Sequence, residues 1–273
     1  MNMVDYHNHT KLCNHAVGEM EEYVQTAINK GIKEIGFSDH FPMNYQPAYS
    51  IPITNITMRE NEIDTYLTMI KKAGAKFSDI SIKTGFEVDF FKKENLFFNK
   101  YTNTIYPAID YVIGSVHFID DAGFDQIEFK EIIDKYTDEE LWSKYLSLLK
   151  EFITEYSDFI DIIGHFDLPK KFGWYLPDSL LPELKTILDL VKEKNLTIEI
   201  NTAGYESFAK EQYPSLQIIK LIYKRNIDIT LGSDSHAPDN VGRYFPETIN
   251  MLKNIGFNKL TKFTNHKKEY IEI

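Results

Sequence analysis

One cysteine in 273 residues, Cys13, excludes an intrachain disulfide framework and suits a reducing compartment. The fold must therefore rest on a packed core. Arginine is nearly absent, with Arg59, Arg225 and Arg243 the complete set. A net charge of −11 and a pI near 5.2 leave no broad basic surface for nucleic acid or an anionic membrane. No apolar run approaches the ~20 residues of a membrane helix. The opening MNMVDYHNHT carries no basic segment followed by a long apolar stretch, so no signal peptide is read there. Repeats, low-complexity tracts and Pro/Ser-rich linkers are missing too. The expectation is one domain over residues 1–273, soluble and cytoplasmic, with neither nucleic acid nor membrane as partner. Nothing in the composition specifies an oligomeric state.

What is present is an alternation of apolar runs and amphipathic segments. A hydrophobic share of 43% suffices for a real core, and the length matches one α/β barrel of ~250 residues. Strands are expected near residues 3–7, 34–38, 81–87, 110–116, 160–164, 196–201 and 227–232. Helices are expected over 19–30, 58–77, 178–194, 214–225 and 246–255, and in the amphipathic stretch DEELWSKYLSLLKEFITEYS, the second half of an insertion at 119–159. Gly31 is placed to end the first helix, Thr57 with Glu60 to form a capping box for the second, and Pro214 to open a later one. Residues 41–57, rich in Pro, Tyr and Asn, read as a long loop and a lid candidate. The tail, 259–273, reads as a short edge strand. Seven β/α units predict a TIM-like barrel one unit short of the usual eight. A doubly wound open sheet shares the pattern, because pattern alone does not show closure.

The strand ends carry the chemistry. In order they supply His7 and His9, His40, Glu87, His117, His165, Asn201, then Asp234 and His236. Parallel barrel strands all end on one face, where groups from distant parts of the chain converge. His7 and His9 stand at i and i+2 of a strand, so both imidazoles point to one side. His15 follows in a loop free to curl over the barrel mouth. Seven imidazoles and two carboxylates are too many for one ion. At three or four ligands each they provide for about three metals with open positions. Such ligands admit zinc, iron and manganese. His266, in the polar tail, reads as an ordinary hydrogen-bonded side chain, and Cys13 as a free buried thiol, since the imidazoles already suffice.

Taken together, the motifs DYHNHT, CNHA, GFSDH, GFEVDF, GSVHF, GHFDLPKKF, EINTAG and GSDSHAPDNVGR run nearly end to end, and the chain resembles the polymerase-and-histidinol-phosphatase (PHP) superfamily. More narrowly, it is similar to the monofunctional histidinol-phosphatase branch. The resemblance implies a distorted seven-stranded β/α barrel with a trinuclear metal site at the C-terminal ends of the strands. It implies that His7 and His9 hold a first metal with Glu87 and Asp234. Glu87 would bridge to a second metal held by His117 and His165, and His15, His40 and His236 would hold a third. It also implies hydrolysis of L-histidinol phosphate to L-histidinol and phosphate, a late step of histidine biosynthesis.

The ligand set suits phosphate ester chemistry, in which a hydroxide bridging two metals attacks phosphorus and the third metal orients a phosphate oxygen. Asp234 is the candidate to take the water's proton. Arg243, seven residues after His236, is the candidate phosphate ligand. Phe118, Asp167, Asn201 and Tyr205 stand near strand ends and are candidates to receive the ammonium and imidazole of the substrate. Three other readings compete: a phosphodiesterase or exonuclease, a protein-tyrosine phosphatase, and a metal-stabilised structural module. The acidic balance counts against the first. The complete ligand set and the lack of an attached domain count against the last.

Overall fold

The chain order is β1 (Val4–Asp5), α1 (Met20–Asn29), β2 (Glu34–Phe37), α2 (Ile63–Lys76), β3 (Ser81–Asp89), β4 (Tyr111–Ser115), β5 (Phe118–Ile119), β6 (Ala122–Gly123), α3 (Lys130–Ile133), α4 (Asp138–Tyr156), β7 (Ile162–Ile163), α5 (Leu181–Glu193), β8 (Thr197–Asn201), α6 (Leu216–Lys224), β9 (Asp228–Gly232), α7 (Phe245–Ile255), β10 (Lys259–Thr264) and β11 (Lys267–Glu272). This is a computed structural model, and it describes residues 2–92 and 94–273. β2, β4 and β8 are buried along their whole length, as expected for parallel strands covered by helices outside and packed side chains inside. The helices present one apolar stripe each. In α1 the buried positions are Met20, Tyr23, Val24 and Ala27, the spacing of one helix face. Gly31, at φ +74°, takes the left-handed position that ends this helix. In α4 the Thr137 hydroxyl accepts from Glu140 N–H at 3.2 Å, and the Glu140 carboxylate accepts from Thr137 N–H at 2.9 Å.

Seven parallel strands run in the order β1-β2-β3-β4-β7-β8-β9. The two ends of that order meet. Tyr6 N–H donates to Leu231 O at 3.0 Å, Ser235 N–H to His7 O at 3.1 Å, and His9 N–H to Ser235 O at 2.9 Å. This seam makes a nearly closed barrel and excludes the open sheet. It also sets His7 and His9 beside Asp234 and His236, residues from opposite ends of the chain.

Several local expectations change. Helix α2 begins at Ile63 rather than 58, after a 3-10 turn at Glu60–Glu62. The Thr57–Glu60 box does not form: Glu62 accepts from Arg59 N–H at 2.8 Å, Thr57 donates to Ile53 O at 3.1 Å, and Glu60 pairs with Lys100 and Tyr101. Helix α6 starts at Leu216, two residues past Pro214, whose peptide bond with Tyr213 is cis. The tail is a hairpin of β10 and β11, not one edge strand. Asn265 and His266, at φ +48° and +63°, make its turn. The hairpin covers the N-terminal end of the barrel, where Thr230 Oγ1 donates to Thr261 O at 3.0 Å and Phe263 N–H to Tyr6 Oη at 2.9 Å. Phe263 of β10 packs its ring against those of Tyr6 and Tyr111 there.

At the opposite end, residues 41–57 and the β5–β6 hairpin lie together over the strand ends. Tyr49 N–H donates to Asp121 O at 2.9 Å, Gly123 N–H to Tyr49 O at 2.9 Å, and Ile51 N–H to Gln126 Oε1 at 2.8 Å. Among the described residues no helix is long and apolar enough to cross a membrane.

Candidate metal centre

Glu87, at the C-terminal half of β3, is almost fully buried and divides its two oxygens. Oε2 faces His7 Nε2 at 3.2 Å, His40 Nδ1 at 3.1 Å and His9 Nε2 at 3.7 Å. Oε1 faces His165 Nε2 at 3.0 Å and His117 Nε2 at 3.6 Å. Asp234 Oδ1 lies 3.3 Å from His9 Nε2 and 3.7 Å from His7 Nε2. Asp234 and His236 follow β9 at the seam, and Asp234 adopts φ +51° to turn its carboxylate inward. His9 and His236 stack at 4.1 Å between ring centroids, and the His15 ring lies tilted against His236 at 4.5 Å. The fold thus brings all nine expected ligands into one contiguous cluster from seven separate segments.

A ring of acceptors behind the imidazoles decides which nitrogen faces inward. His7 Nδ1 contacts Glu199 Oε1 at 2.6 Å, His117 Nδ1 contacts Asp89 Oδ1 at 2.7 Å, His15 Nδ1 contacts Cys13 O at 2.9 Å, and His236 Nδ1 contacts Asp234 O at 3.2 Å. With the Nδ1 proton donated outward, Nε2 presents its lone pair to the centre. Ser115 Oγ donates to Glu87 Oε1 at 2.6 Å. Glu199 also accepts from His165 N–H at 2.8 Å. A Cβ at Gly232 would overlap Glu199 Oε1 and lie 2.7 Å from His7 Cβ, so the glycine of GSDSH clears the space this contact needs. Glu199 in β8 and Asp89 in β3 were missed by strand-end reasoning. The available signal was an acid inside an apolar strand, which is costly unless it holds a partner.

The electrostatics follow from this packing. Burial opposes charge on Glu87, but His7, His40 and His117 outweigh it and hold its carboxyl well below the usual range. Asp234 is held well below in the same way, against burial, by His7, His9 and His236. Burial disfavours a proton on His7, yet Glu199, Asp234 and Glu87 raise its imidazole well above the ordinary value. His117, also against burial, is pushed up to about 10 by Asp89 and Glu87. Burial together with neighbouring His9 pushes His236 well below, and burial dominates the same shift at His40.

The donor set fits divalent ions. Fully or largely buried nitrogens lack hydrogen-bond partners: His7 Nε2, both ring nitrogens of His9, His40 Nδ1, His165 Nδ1 and His236 Nε2. Orphaned imidazole nitrogens at this density are costly unless an ion takes their lone pairs. Among the described residues four groups have donor atoms within 4.8 Å of one another: His7, His9 and Glu87; Glu87, His117 and His165; His15, His40 and His236; and His9, Cys13 and His236.

A cavity of about 550 Å³ opens over the cluster. Its walls come from the 41–57 loop (Met43, Ile51, Asn55, Ile56), from Phe118 and the insertion after it (Asp125, Gln126, Ile127, Glu128) and from Lys171 and Phe172. Of the candidates for substrate contact, Phe118 lines this cavity. Asn201 sits beside it, donating from its amide to Asp234 Oδ2 at 3.3 Å. Asp167 is buried away from the cavity against Lys170 at 3.1 Å and Ser215 N–H at 2.8 Å. Tyr205 turns to Gln212 at 2.8 Å and to the ring of Tyr244. Arg243 donates to Ser233 O at 3.1 Å and Asp234 O at 3.2 Å, and pairs with Glu206 at 2.6 Å. Lys171, 3.1 Å from Asp125, is the lysine on the cavity wall among the described residues, and the sequence reading did not single it out.

Residues 5–203 match the family model described as PHP domain. The chain is 33% identical over 260 residues to a Deinococcus radiodurans protein named "Probable histidinol-phosphatase", covering 95% of this chain and 96% of that one. It is 25% identical to the histidinol-phosphatase of Bacillus subtilis, over 87% of this chain and 95% of the relative. The crystal structure of the Lactococcus lactis histidinol phosphate phosphatase, complexed with zinc, L-histidinol and phosphate, shares the fold at a TM-score of 0.81 and 23% identity, covering 98% of this chain and 100% of that one. The chain belongs to the PHP domain family.

Proposed function

We propose that this PHP-domain chain hydrolyses L-histidinol phosphate to L-histidinol and phosphate, in histidine biosynthesis, at a trinuclear divalent-metal centre. The observation that carries the reading is Glu87, whose two oxygens face two different sets of imidazoles. His7, His9, Glu87 and Asp234 would hold one ion, Glu87, His117 and His165 a second, and His15, His40 and His236 a third. Bound ions would neutralise the phosphate dianion, acidify water and stabilise the leaving alkoxide. Zinc, iron and manganese all suit these ligands, and the zinc of the Lactococcus relative favours zinc.

The chain's own groups have separate tasks. Asp234, held ionised by the imidazoles, takes the proton of the attacking water. Asn201 fixes its other oxygen, and Arg243 fixes its backbone carbonyl. Lys171 leaves Asp125 to reach phosphate oxygens, or shares itself between them. Phe118, Phe172 and Ile127 offer apolar contact to an imidazole ring, and Asp125 and Glu128 offer negative charge to an ammonium. A walled cavity of this kind suits a small monoester better than a protein loop or a polynucleotide, and the single free thiol suits a cytoplasmic setting.

The test is phosphate release from L-histidinol phosphate by purified protein reloaded separately with zinc, manganese or iron, with a chelator control. Metal-dependent turnover preferring this substrate over other monoesters and over a diester is expected. Activity confined to diesters would overturn the substrate, and no turnover with metals bound would favour a structural module.

A further inference from the structure

Asp5, the last residue of β1, is a fully buried carboxylate that the proposed chemistry does not use. It belongs to none of the four ligand groups found among the described residues. Both of its oxygens are nonetheless engaged. Oδ1 accepts from Ser233 N–H at 2.9 Å and from His7 N–H at 3.4 Å. Oδ2 accepts from Gly242 N–H at 3.0 Å and from the Ser233 hydroxyl. Ser233 Oγ lies 2.6 Å from Ser235 Oγ, so the second serine of the turn joins the same network. One carboxylate near the start of the chain thus holds both ends of segment 233–242, near its finish.

That segment carries Asp234 and His236, and its shape is not one a strand supplies. The seam uses the backbone of Leu231 and of Ser235. Between them Asp234 takes φ +51°, and Gly242 takes φ +63° at the far end. A left-handed residue other than glycine persists where its surroundings fix it. Arg243 grips the carbonyls of Ser233 and Asp234, and Asp5 grips the N–H groups of Ser233 and Gly242. Burying a carboxylate is unfavourable unless donors surround it, and here the donors come from the segment that bears the ligands.

We propose that Asp5 is a positioning residue: by fastening Ser233 and Gly242 it aims Asp234 and His236 at the ions they would hold. The proposal rests on the metal-centre reading above. The ion expected at Glu87, His117 and His165 has no ligand in segment 233–242. Loss of the Asp5 grip therefore separates that ion from the ions of Asp234 and His236.

The experiment uses the full chain and the variant Asp5→Asn. An amide keeps the shape but offers one acceptor oxygen, and its NH2 group meets N–H donors. Chelator competition on zinc-loaded protein is expected to show about 10–100-fold weaker binding of the ions at Asp234 and His236, the usual effect of losing a group that orients ligands. The ion of Glu87, His117 and His165 is expected to keep its wild-type affinity. At saturating zinc, kcat is expected to fall about tenfold or more with KM unchanged, as misplaced reacting groups do. Ser233→Ala, a milder change, removes only the hydroxyl contact and is expected to move the same readouts by about fivefold, the value of one hydrogen bond. Thr230→Val lies in β9 outside the turn and loses its bond to Thr261 O. It is expected to lower Tm while metal binding and kcat stay as in the wild type. Wild-type affinities and kcat in Asp5→Asn, or in Ser233→Ala where Asp5→Asn does not fold, would overturn the positioning role. Equal weakening of every ion, or the same losses in Thr230→Val, would overturn it too. A wild type that binds no zinc would overturn the metal-centre reading and this role with it. A wild type that binds zinc but spares L-histidinol phosphate would overturn the substrate alone, and the affinities would still decide the role of Asp5.

Discussion

Glu199, inside β8, accepts from Nδ1 of His7, just past β1, at 2.6 Å, and this contact decides which nitrogen of His7 faces Glu87. Glu199 also holds the backbone N–H of His165, so one carboxylate orients a ligand in each of two expected groups. Replacing it by glutamine keeps the shape but offers an amide that donates as well as accepts. Glu199→Gln is expected to weaken metal binding by about 10–100-fold, the usual cost of losing such a partner. Competition with a coloured chelator measures this. An unchanged affinity would remove Glu199 from the metal centre.

Glu87→Ala removes both oxygens that face the two imidazole sets. It is expected to lose bound metal and to lower kcat by more than about 100-fold, since a ligand is worth at least as much as the groups that orient it. Full metal content with full turnover, by elemental analysis and phosphate assay, would falsify the bridging role.

Lys171 and Arg243 should separate in kinetics. Lys171 stands on the cavity wall, whereas the guanidinium of Arg243 is taken up by Ser233 O, Asp234 O and Glu206. Lys171→Ala is expected to raise KM about tenfold with metals retained, the value of one charge-assisted contact. Arg243→Ala is expected to act on kcat instead, by releasing the turn in which Asp234 holds φ +51°. A raised KM in Arg243→Ala with no change in Lys171→Ala would reverse the two assignments.

His266 gives a pH test far from the chemistry. Its Nδ1 contacts Asp161 at 2.8 Å and its Nε2 contacts Tyr106 O at 2.7 Å. Burial lowers its proton affinity, but the contacts with Asp161 and Tyr106 O outweigh burial and raise it above the ordinary 6.5. A histidine with a raised folded value stabilises fully below its unfolded value, and that contribution is lost as pH rises through the folded one. The Tm difference between wild type and His266→Ala should therefore be larger at about pH 6 than at about pH 9. A difference that stays constant across that range would show that the imidazole acts by packing on Tyr106 alone.

The strand–helix alternation and the strand-end ligands were legible because each depends on local pattern. An apolar run that stops at His40 or His117 announces a parallel strand and the residue at its mouth together. The start of α2 was not legible, because Glu60 is drawn off to Lys100 and Tyr101, residues some forty positions later that no local rule foresees. The hairpin in the tail was missed for a related reason. Its turn at Asn265–His266 is a local signal, but its value lies in covering Tyr6 and Tyr111 at the far end of the barrel.

By itself, the order of residues determined the number of barrel strands, the face on which His7, His9, Glu87 and Asp234 gather, and the donor chemistry of that face. Those properties follow from side-chain period and donor chemistry, which are local. Closure of the barrel, the split of Glu87 between two imidazole sets and the grip of Glu199 on His7 were decided only by tertiary structure. They depend on the seam from Tyr6 to Leu231 and on which strands lie side by side, and contact between residues so far apart in sequence is set by packing of the whole chain.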